Sequence, residues 1–407
     1  MCGWHWLSLS KPASTARRFR GQDMVRHDSM HILWLDAFHG GSHAAVSQGF
    51  TRHSQHAVTL LTLSPAGGWR WRMRGAAVTF AREVRRRALP PVDLIVATDM
   101  LDLATFLGLT RDLLGSAAVA LYMHENQLTY PLPPGRTRDL SFPWINYTSA
   151  LAADAIFFNS AFHRDSFFAA LPGLPGRYHD YQELDLIDSL VARSHVLSPG
   201  IDLARLDPPS PAPRAFAGEP PILLWNSRWE YDKGPETFFT ALTELKQRQI
   251  DFRLIVIGEH IDPQHPAFAA AREEFVDRTL AWGYVPDLET YRRLLHRADI
   301  VVSTAMQEFF GIAVVEAIFC GCAPLLPRRL SYPELIPPHL HPFCFYDDDA
   351  QLAGRLSEMM AALPSLREID FRSLVAQYDW SQMAARYDAA FADVVTRRGY
   401  GTIANAD

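Results

Sequence analysis

The sequence predicts an α/β protein of two Rossmann-like, doubly wound domains facing a central cleft, and three observations predict it. Short, continuously apolar runs alternate with helix-like segments from His31 onward. A proline-dense stretch interrupts that alternation near the middle of the chain, after which the alternation resumes. The chain has 407 residues, 48% hydrophobic and 21% charged, which is too long for one small domain and apolar enough to bury two cores.

Taken in order, residues 1–29 are polar and basic, with no periodic apolar face and no apolar run of signal-peptide length. They read as a disordered extension, or equally as sequence upstream of a start at Met30. The first strand is His31–Asp36, and strands at 57–63, 93–97, 117–122, 155–159 and 195–198 follow. Continuous rather than alternating apolarity marks a sheet covered on both faces. Together they make an N-terminal domain over residues 30–206. Residues 207–221 are too rich in proline for a helix interior or a central strand and form the linker. A second series, at Ile222–Asn226, 252–258, 280–284, 299–303 and 323–326, builds a C-terminal domain over 222–379. Residues 380–398, with Met383, Tyr387, Ala390 and Val394 on one face, form an amphipathic helix, and 399–407 are a tail.

Composition excludes several function classes. No apolar stretch reaches the roughly 18 to 20 residues that cross a bilayer. Cys2, Cys320, Cys322 and Cys344 are too few for a disulfide framework and lack the paired spacing of a structural zinc site, so a reducing cytoplasm is the expected setting. The net charge of −6 argues against coating nucleic acid by bulk charge. That average conceals an asymmetry: residues 1–100 hold 13 Lys+Arg against 6 Asp+Glu, and the remainder holds 26 against 39. A polyanion should therefore meet the first quarter of the chain.

The first strand runs into Asp36-Ala37-Phe38-His39-Gly40-Gly41-Ser42-His43, with a helical pattern from Ser42. Gly40 and Gly41 let backbone N–H groups approach a phosphate at the positive helix end, although a tight turn alone also accounts for them. After the linker, the strand Ile222–Asn226 ends in Ser227-Arg228-Trp229-Glu230-Tyr231-Asp232-Lys233-Gly234-Pro235. Arg228 and Lys233, beside a helix start, suit the charge of a diphosphate leaving group.

In Glu308-Phe309-Phe310-Gly311-Ile312-Ala313-Val314-Val315-Glu316 the two carboxylates stand eight positions apart, Glu308 in a loop and Glu316 in the following helix. Eight residues is just over two helical turns, which returns Glu316 to the cleft face. Lying among Val314, Val315, Ala317 and Ile318, it should hydrogen-bond a ligand or a backbone group.

These motifs resemble the retaining GT-B glycosyltransferases that use nucleotide sugars. The resemblance implies that Arg228 and Lys233 hold the donor diphosphate. It implies that Glu308 holds the sugar and Glu316 the ribose, with Phe310, Gly311 and Ile312 also at the donor and Gly40 and Gly41 facing the phosphates. One departure is Phe309, where Glu-Gly-Phe-Gly is commoner, and this bears on how closely the sugar meets the backbone there. His124-Glu125-Asn126-Gln127-Leu128-Thr129-Tyr130-Pro131 narrows the resemblance to the tRNA-queuosine α-mannosyltransferases. That family places a histidine beside the donor sugar, a role that falls on His124.

The resemblance implies transfer of mannose from GDP-mannose to queuosine in the anticodon loop of tRNA for aspartate, in the cytoplasm. The implied route is front-face, the departing phosphate helping to deprotonate the acceptor, with neither metal nor cofactor. The rival readings are a hexosyltransferase acting on a lipid or polysaccharide and, behind it, a sugar-nucleotide epimerase.

Three further segments bear on partners. Residues 65–75 interleave Trp69 and Trp71 with Arg70, Arg72 and Arg74, a pattern that stacks on unpaired bases and takes phosphates, so an RNA-binding loop is expected there. Asp347-Asp348-Asp349 reads as a solvated acidic loop rather than a metal site, and Cys320-Gly321-Cys322 as packing. Residues 172–194 are a candidate acceptor-side insertion.

Overall fold

All strand pairings run parallel in two six-stranded sheets, as seen in a computed structural model that describes residues 29–133, 135–208, 219–259 and 265–404. Nearly all of the expected N-terminal extension, residues 209–218 of the expected linker and the last three residues of the tail lie outside the described residues.

The first sheet holds β1 His31–Asp36, β2 Ala57–Thr62, β3 Leu94–Thr98, β4 Ala118–Met123, β5 Ala155–Phe158 and β6 Ser194–Val196. Its order is β2-β1-β3-β4-β5-β6. Packed on it are α1 Gly41–His53, α2 Trp69–Arg87, α3 Leu103–Leu114, α4 Ser141–Ala152, α5 Ala161–Ala170 and α6 Leu186–Ala192. In β3, β4 and β5 every residue is buried, as expected for strands covered on both faces.

The second sheet comprises β7 Ile222–Asn226, β8 Arg253–Ile257, β9 Thr279–Gly283, β10 Ile300–Val302, β11 Ala323–Pro327 and β12 Phe345–Tyr346, in the order β12-β11-β10-β7-β8-β9. The helices α7 Pro235–Gln247, α8 Pro266–Glu274, α9 Leu288–Arg297 and α10 Ile312–Phe319 connect successive strands. β12 escapes the sequence reading because two residues carry no periodicity.

Each sheet reverses its order beside its first strand, between β1 and β3 and between β7 and β10. In open α/β sheets the crevice at the carboxyl ends of the strands flanking such a reversal is where ligands bind. The loops leaving β7 and β10 contain Arg228, Lys233 and Glu308.

The C-terminal helix runs from Trp380 to Ala404, longer than the periodicity indicated, and returns to the first domain. Trp380, Met383, Tyr387 and Phe391 share a core with Trp34, Phe50, Tyr122 and Phe157. The Tyr387 hydroxyl donates to the Tyr122 hydroxyl at 2.9 Å, and Asp388 accepts from Ser54 Oγ at 2.6 Å. A Cβ on Gly49 would lie 1.9 Å from the Trp380 indole, so only glycine lets this helix seat. The chain crosses between the domains twice, side by side: Ile201 N donates to Tyr378 O at 2.8 Å, and Trp380 N to Ile201 O at 3.0 Å. Leu203 and Leu206, ahead of the expected linker, already pack in the core of the second domain.

Candidate active site

Lys233 ends a helical turn, Tyr231–Lys233, at the carboxyl edge of β7. Gly234 follows with φ of 60°, and a Cβ there would meet Thr304 O at 2.4 Å, so this close approach requires glycine. Thr304 Oγ1 in turn donates to Lys233 O at 2.9 Å. The Lys233 ammonium is buried. It donates to Gln307 O at 2.8 Å and pairs with Asp232 at 3.0 Å and Glu308 at 3.4 Å. Burial alone would lower its pKa, but Glu308 and Asp232 outweigh that and hold it above its ordinary value.

Arg228 is about half exposed and pairs with Glu230 at 3.1 Å. Its burial is likewise outweighed, by Glu230, Tyr130, Asp232 and Glu125, and its pKa is raised. Both cations therefore carry carboxylate partners, of which Glu230 and Asp232 were not singled out in the sequence.

Glu308 Oε1 accepts from Phe310 N at 3.5 Å, and its backbone carbonyl accepts from Ser331 Oγ at 3.3 Å. Gly311, with φ of 99°, turns the loop into α10, which starts at Ile312. Phe310 is buried edge-on against Tyr378, with ring centroids 5.0 Å apart, so what it offers a ligand is backbone.

Glu316 is buried as expected, and its carboxylate has side-chain partners that its sequence neighbours do not indicate: Arg205 donates to Oε1 at 2.6 Å and the Tyr291 hydroxyl to Oε2 at 2.7 Å. Asn226 Nδ2 donates to the Tyr291 hydroxyl at 2.8 Å, completing a chain that holds the carboxylate. No local spacing signals Arg205 or Tyr291, because both arrive from other elements.

On the first domain, Asp36 ends β1 fully buried and organises the glycine turn. It accepts from His39 Nδ1 at 2.8 Å, Ser47 Oγ at 3.1 Å and Phe38 N at 3.1 Å. Gly40 precedes α1 and packs so tightly on Pro65 that a Cβ would lie 2.5 Å from that ring, whereas Gly41, at φ of 52°, faces open space.

His124 lies at the carboxyl end of β4, its ring stacked on His43 with centroids 3.9 Å apart. Its backbone is pinned, with N donating to Asp99 Oδ1 at 2.8 Å and O accepting from Asn159 Nδ2 at 2.8 Å. Burial first, then His43 and His163, pull the His124 pKa well below its ordinary value, and burial takes His43 to about 4 and His163 to about 3. These imidazoles are neutral at physiological pH, and His43 Nδ1, His124 Nε2 and His163 Nε2 have no hydrogen-bond partner among the described residues.

Three contacts close the first domain on the second. The Tyr130 hydroxyl donates to Asp232 at 3.2 Å. Glu334 accepts from Ala161 N at 2.9 Å and Phe162 N at 2.6 Å, capping the N-terminus of α5. Phe309 stacks on His163, with centroids 4.0 Å apart.

The Trp-Arg segment is not a loop. Residues 69–74 are the first turns of α2. Trp69 packs on Phe142 with centroids 5.4 Å apart, and Arg70 lies over the Trp69 ring. Arg72 donates to Ala66 O, and Arg74 pairs with Asp139 at 2.7 Å. Trp71 stays 76% exposed, on a depression of about 450 Å³ that Leu63, Ser64, Gly68 and Arg72 also line. Asp347 and Asp349 pair with Arg328 and Arg329, and Cys320 and Cys322 are buried. No group of three metal-ligating side chains occurs among the described residues, and none of their helices is long and apolar enough to cross a membrane.

Residues 31–201 match the family model for the N-terminal region of tRNA-queuosine alpha-mannosyltransferase, and residues 208–368 match that for group 1 glycosyl transferases. The tRNA-queuosine alpha-mannosyltransferase of Drosophila melanogaster is 32% identical over 312 residues, covering 75% of this chain and 82% of that protein. A GDP-mannose:cellobiosyl-diphosphopolyprenol alpha-mannosyltransferase of Xanthomonas oryzae is 25% identical over 52% of this chain and 56% of its own. Among solved structures, the catalytic domain of starch synthase IV from Arabidopsis thaliana superposes with a TM-score of 0.71 at 11% identity, covering 91% of this chain and all of that one. Sucrose-phosphate synthase from Thermosynechococcus elongatus does so with a TM-score of 0.67 at 15% identity, covering 90% and 100%. These two share the GT-B fold with the chain.

Proposed function

The chain belongs to the tRNA-queuosine alpha-mannosyltransferase family and is a glycosyltransferase, and from that premise we propose that it transfers mannose from GDP-mannose, with retained configuration, to a cyclopentene hydroxyl of queuosine in the anticodon loop of tRNA for aspartate. The observation that supports this reading best is a conjunction within one chain. A first domain matching the queuosine family faces a second whose switch-point loops carry Lys233, Arg228 and Glu308.

In this reading Lys233 and Arg228 balance the charge that develops on the departing diphosphate, a task that needs positioned donors rather than a metal ion. Diphosphate binding would draw Lys233 from Asp232 and Glu308, freeing the Glu308 carboxylate for sugar hydroxyls. His124, neutral and pinned through its backbone, offers a hydrogen bond at the sugar without adding charge. Gly40 and Gly41 approach the phosphates from the first domain, and the leaving phosphate takes the acceptor proton. With a tRNA acceptor, the enzyme would act in the cytoplasm.

Incubation with GDP-mannose and queuosine-containing tRNA, followed by mass spectrometry of the nucleosides, tests the reading. Mannosylated queuosine is expected. Unmodified queuosine beside efficient transfer to a polyprenol-linked sugar would overturn the acceptor, and consumption of donor with no acceptor would favour an epimerase.

A further inference from the structure

The segment after α5 lies against the start of α4, where aromatic rings are left in water. Tyr178 meets Trp144 edge-on, with centroids 6.5 Å apart, yet Trp144 is 43% and Tyr178 59% exposed. The same helix begins against α2, where Trp69 and Arg74 both pack on Phe142. Arg177, next to Tyr178, leads to the cleft rim: burial and then the Arg177 charge lower the pKa of Arg138, and Arg138 donates to the backbone carbonyls of Gln127 and Tyr130, the latter reaching Asp232 across the cleft. Clustered exposed rings beside guanidinium groups are costly to leave in water and mark a binding surface.

We infer that Trp144 and Tyr178 form a stacking platform for unpaired bases of the RNA loop whose modified nucleoside enters the cleft, an inference that rests on the tRNA acceptor proposed above. Every base has a π-face, so two rings at fixed spacing hold a single strand without reading its sequence. The charges orient the strand. Arg177 immediately before Tyr178 and Arg138 at the cleft rim are the cations nearest the rings, whereas Asp180, Glu183 and Asp185 follow Tyr178, so phosphates run toward the rim and bases turn toward the Trp144–Tyr178 pair. This gives the 172–194 segment its part in holding the acceptor.

The test measures the affinity of the full chain for queuosine-containing tRNA in Trp144→Ala, Tyr178→Ala and the double variant, with GDP-mannose affinity as control. Loss of one base–aromatic stack is expected to weaken tRNA binding roughly tenfold per ring. Trp144→Phe and Tyr178→Phe keep a π-face and should stay close to wild type, and donor affinity should not move in any variant. Wild-type tRNA affinity in both alanine variants would overturn the platform, as would parallel loss of donor and tRNA binding, which marks a structural role. A wild-type chain that adds no mannose to this tRNA would instead overturn the proposed function, and the platform with it.

Discussion

The ring of Phe309 lies on the imidazole of His163, centroids 4.0 Å apart and planes 27° from parallel, although Phe309 precedes α10 of the second domain and His163 belongs to α5 of the first. His163 Nδ1 hydrogen-bonds Asn159 Oδ1 at 2.7 Å, which fixes the ring. Phe309 stands where the commoner motif has glycine, and its side chain is buried by this cross-domain contact.

Restoring the commoner motif should loosen closure. Phe309→Gly is expected to raise KM for the donor several-fold while shifting thermal unfolding little, since the pair joins two domains that each have their own core. His163→Phe keeps a ring for the stack and should leave KM near wild type. An unchanged KM in Phe309→Gly would show that the contact does not govern donor binding.

Arg228→Ala should slow transfer by about 100- to 1,000-fold with tRNA affinity nearly intact. Lys233→Ala should do the same and also lower stability, because it strands Asp232 and Glu308 without their buried cation. Turnover at saturating donor, read beside a thermal melt, separates the two effects. Near-native turnover in Arg228→Ala would remove it from the donor site.

Activity should survive thorough chelation if side chains alone balance the leaving group. Loss of transfer in chelator, reversed by magnesium or manganese, would reject that balance and point to a metal-borne diphosphate.

The arginines of α2 should not behave alike. Arg70 is exposed, and Arg70→Ala should reduce the slope of log affinity for tRNA against log salt by about 0.7 to 0.9, the loss of one phosphate contact. Arg74 already pairs with Asp139 and donates to Ser141, so Arg74→Ala should change the slope less. Equal salt slopes in wild type and Arg70→Ala would take that guanidinium off the RNA.

Buried neutral imidazoles should make the fold sensitive to acid. His43 and His163 titrate at about 4 and about 3 when folded, below the 6.5 of an unperturbed imidazole. Between those values the unfolded chain binds protons that the folded chain refuses, so their contribution is complete above pH 6.5 and is lost as pH falls toward 4. Asp99 and Glu125, raised by burial, oppose this slope. His163→Asn should therefore flatten the pH dependence of urea-unfolding free energy between pH 6 and 4, by about 1.4 kcal/mol per pH unit. Parallel wild-type and variant profiles would mean that His163 accepts a proton freely in the folded state.

Much of the architecture was legible in the chain itself. Continuous apolar runs mark the parallel strands, and in β3, β4, β5, β7 and β11 every residue is buried as such runs imply, whereas β2, β6 and β9 are only partly buried because they lie at the sheet edges. The positions of Arg228, Lys233 and Glu308 follow too, because a loop leaving the carboxyl end of a strand lies at the crevice by topology. In the Trp-Arg segment the polar and aromatic alternation obscures the buried helical face made by Met73, Ala76, Ala77 and Phe80.

What only the tertiary structure decided is who partners whom. The burial of Glu316 calls for hydrogen-bond partners, but that Arg205, 111 residues away, and Tyr291 donate to its two oxygens is not readable from its neighbours. The C-terminal helix was visibly amphipathic, but that it buries its apolar face against Trp34 and Tyr122 of the first domain depends on the paired crossing at Ile201 and Trp380. The physical reason is one of range. Periodicity and loop chemistry arise from interactions within a few residues and can be read in one dimension, whereas the partner of a buried charge or an apolar face is selected by packing among elements far apart in the chain.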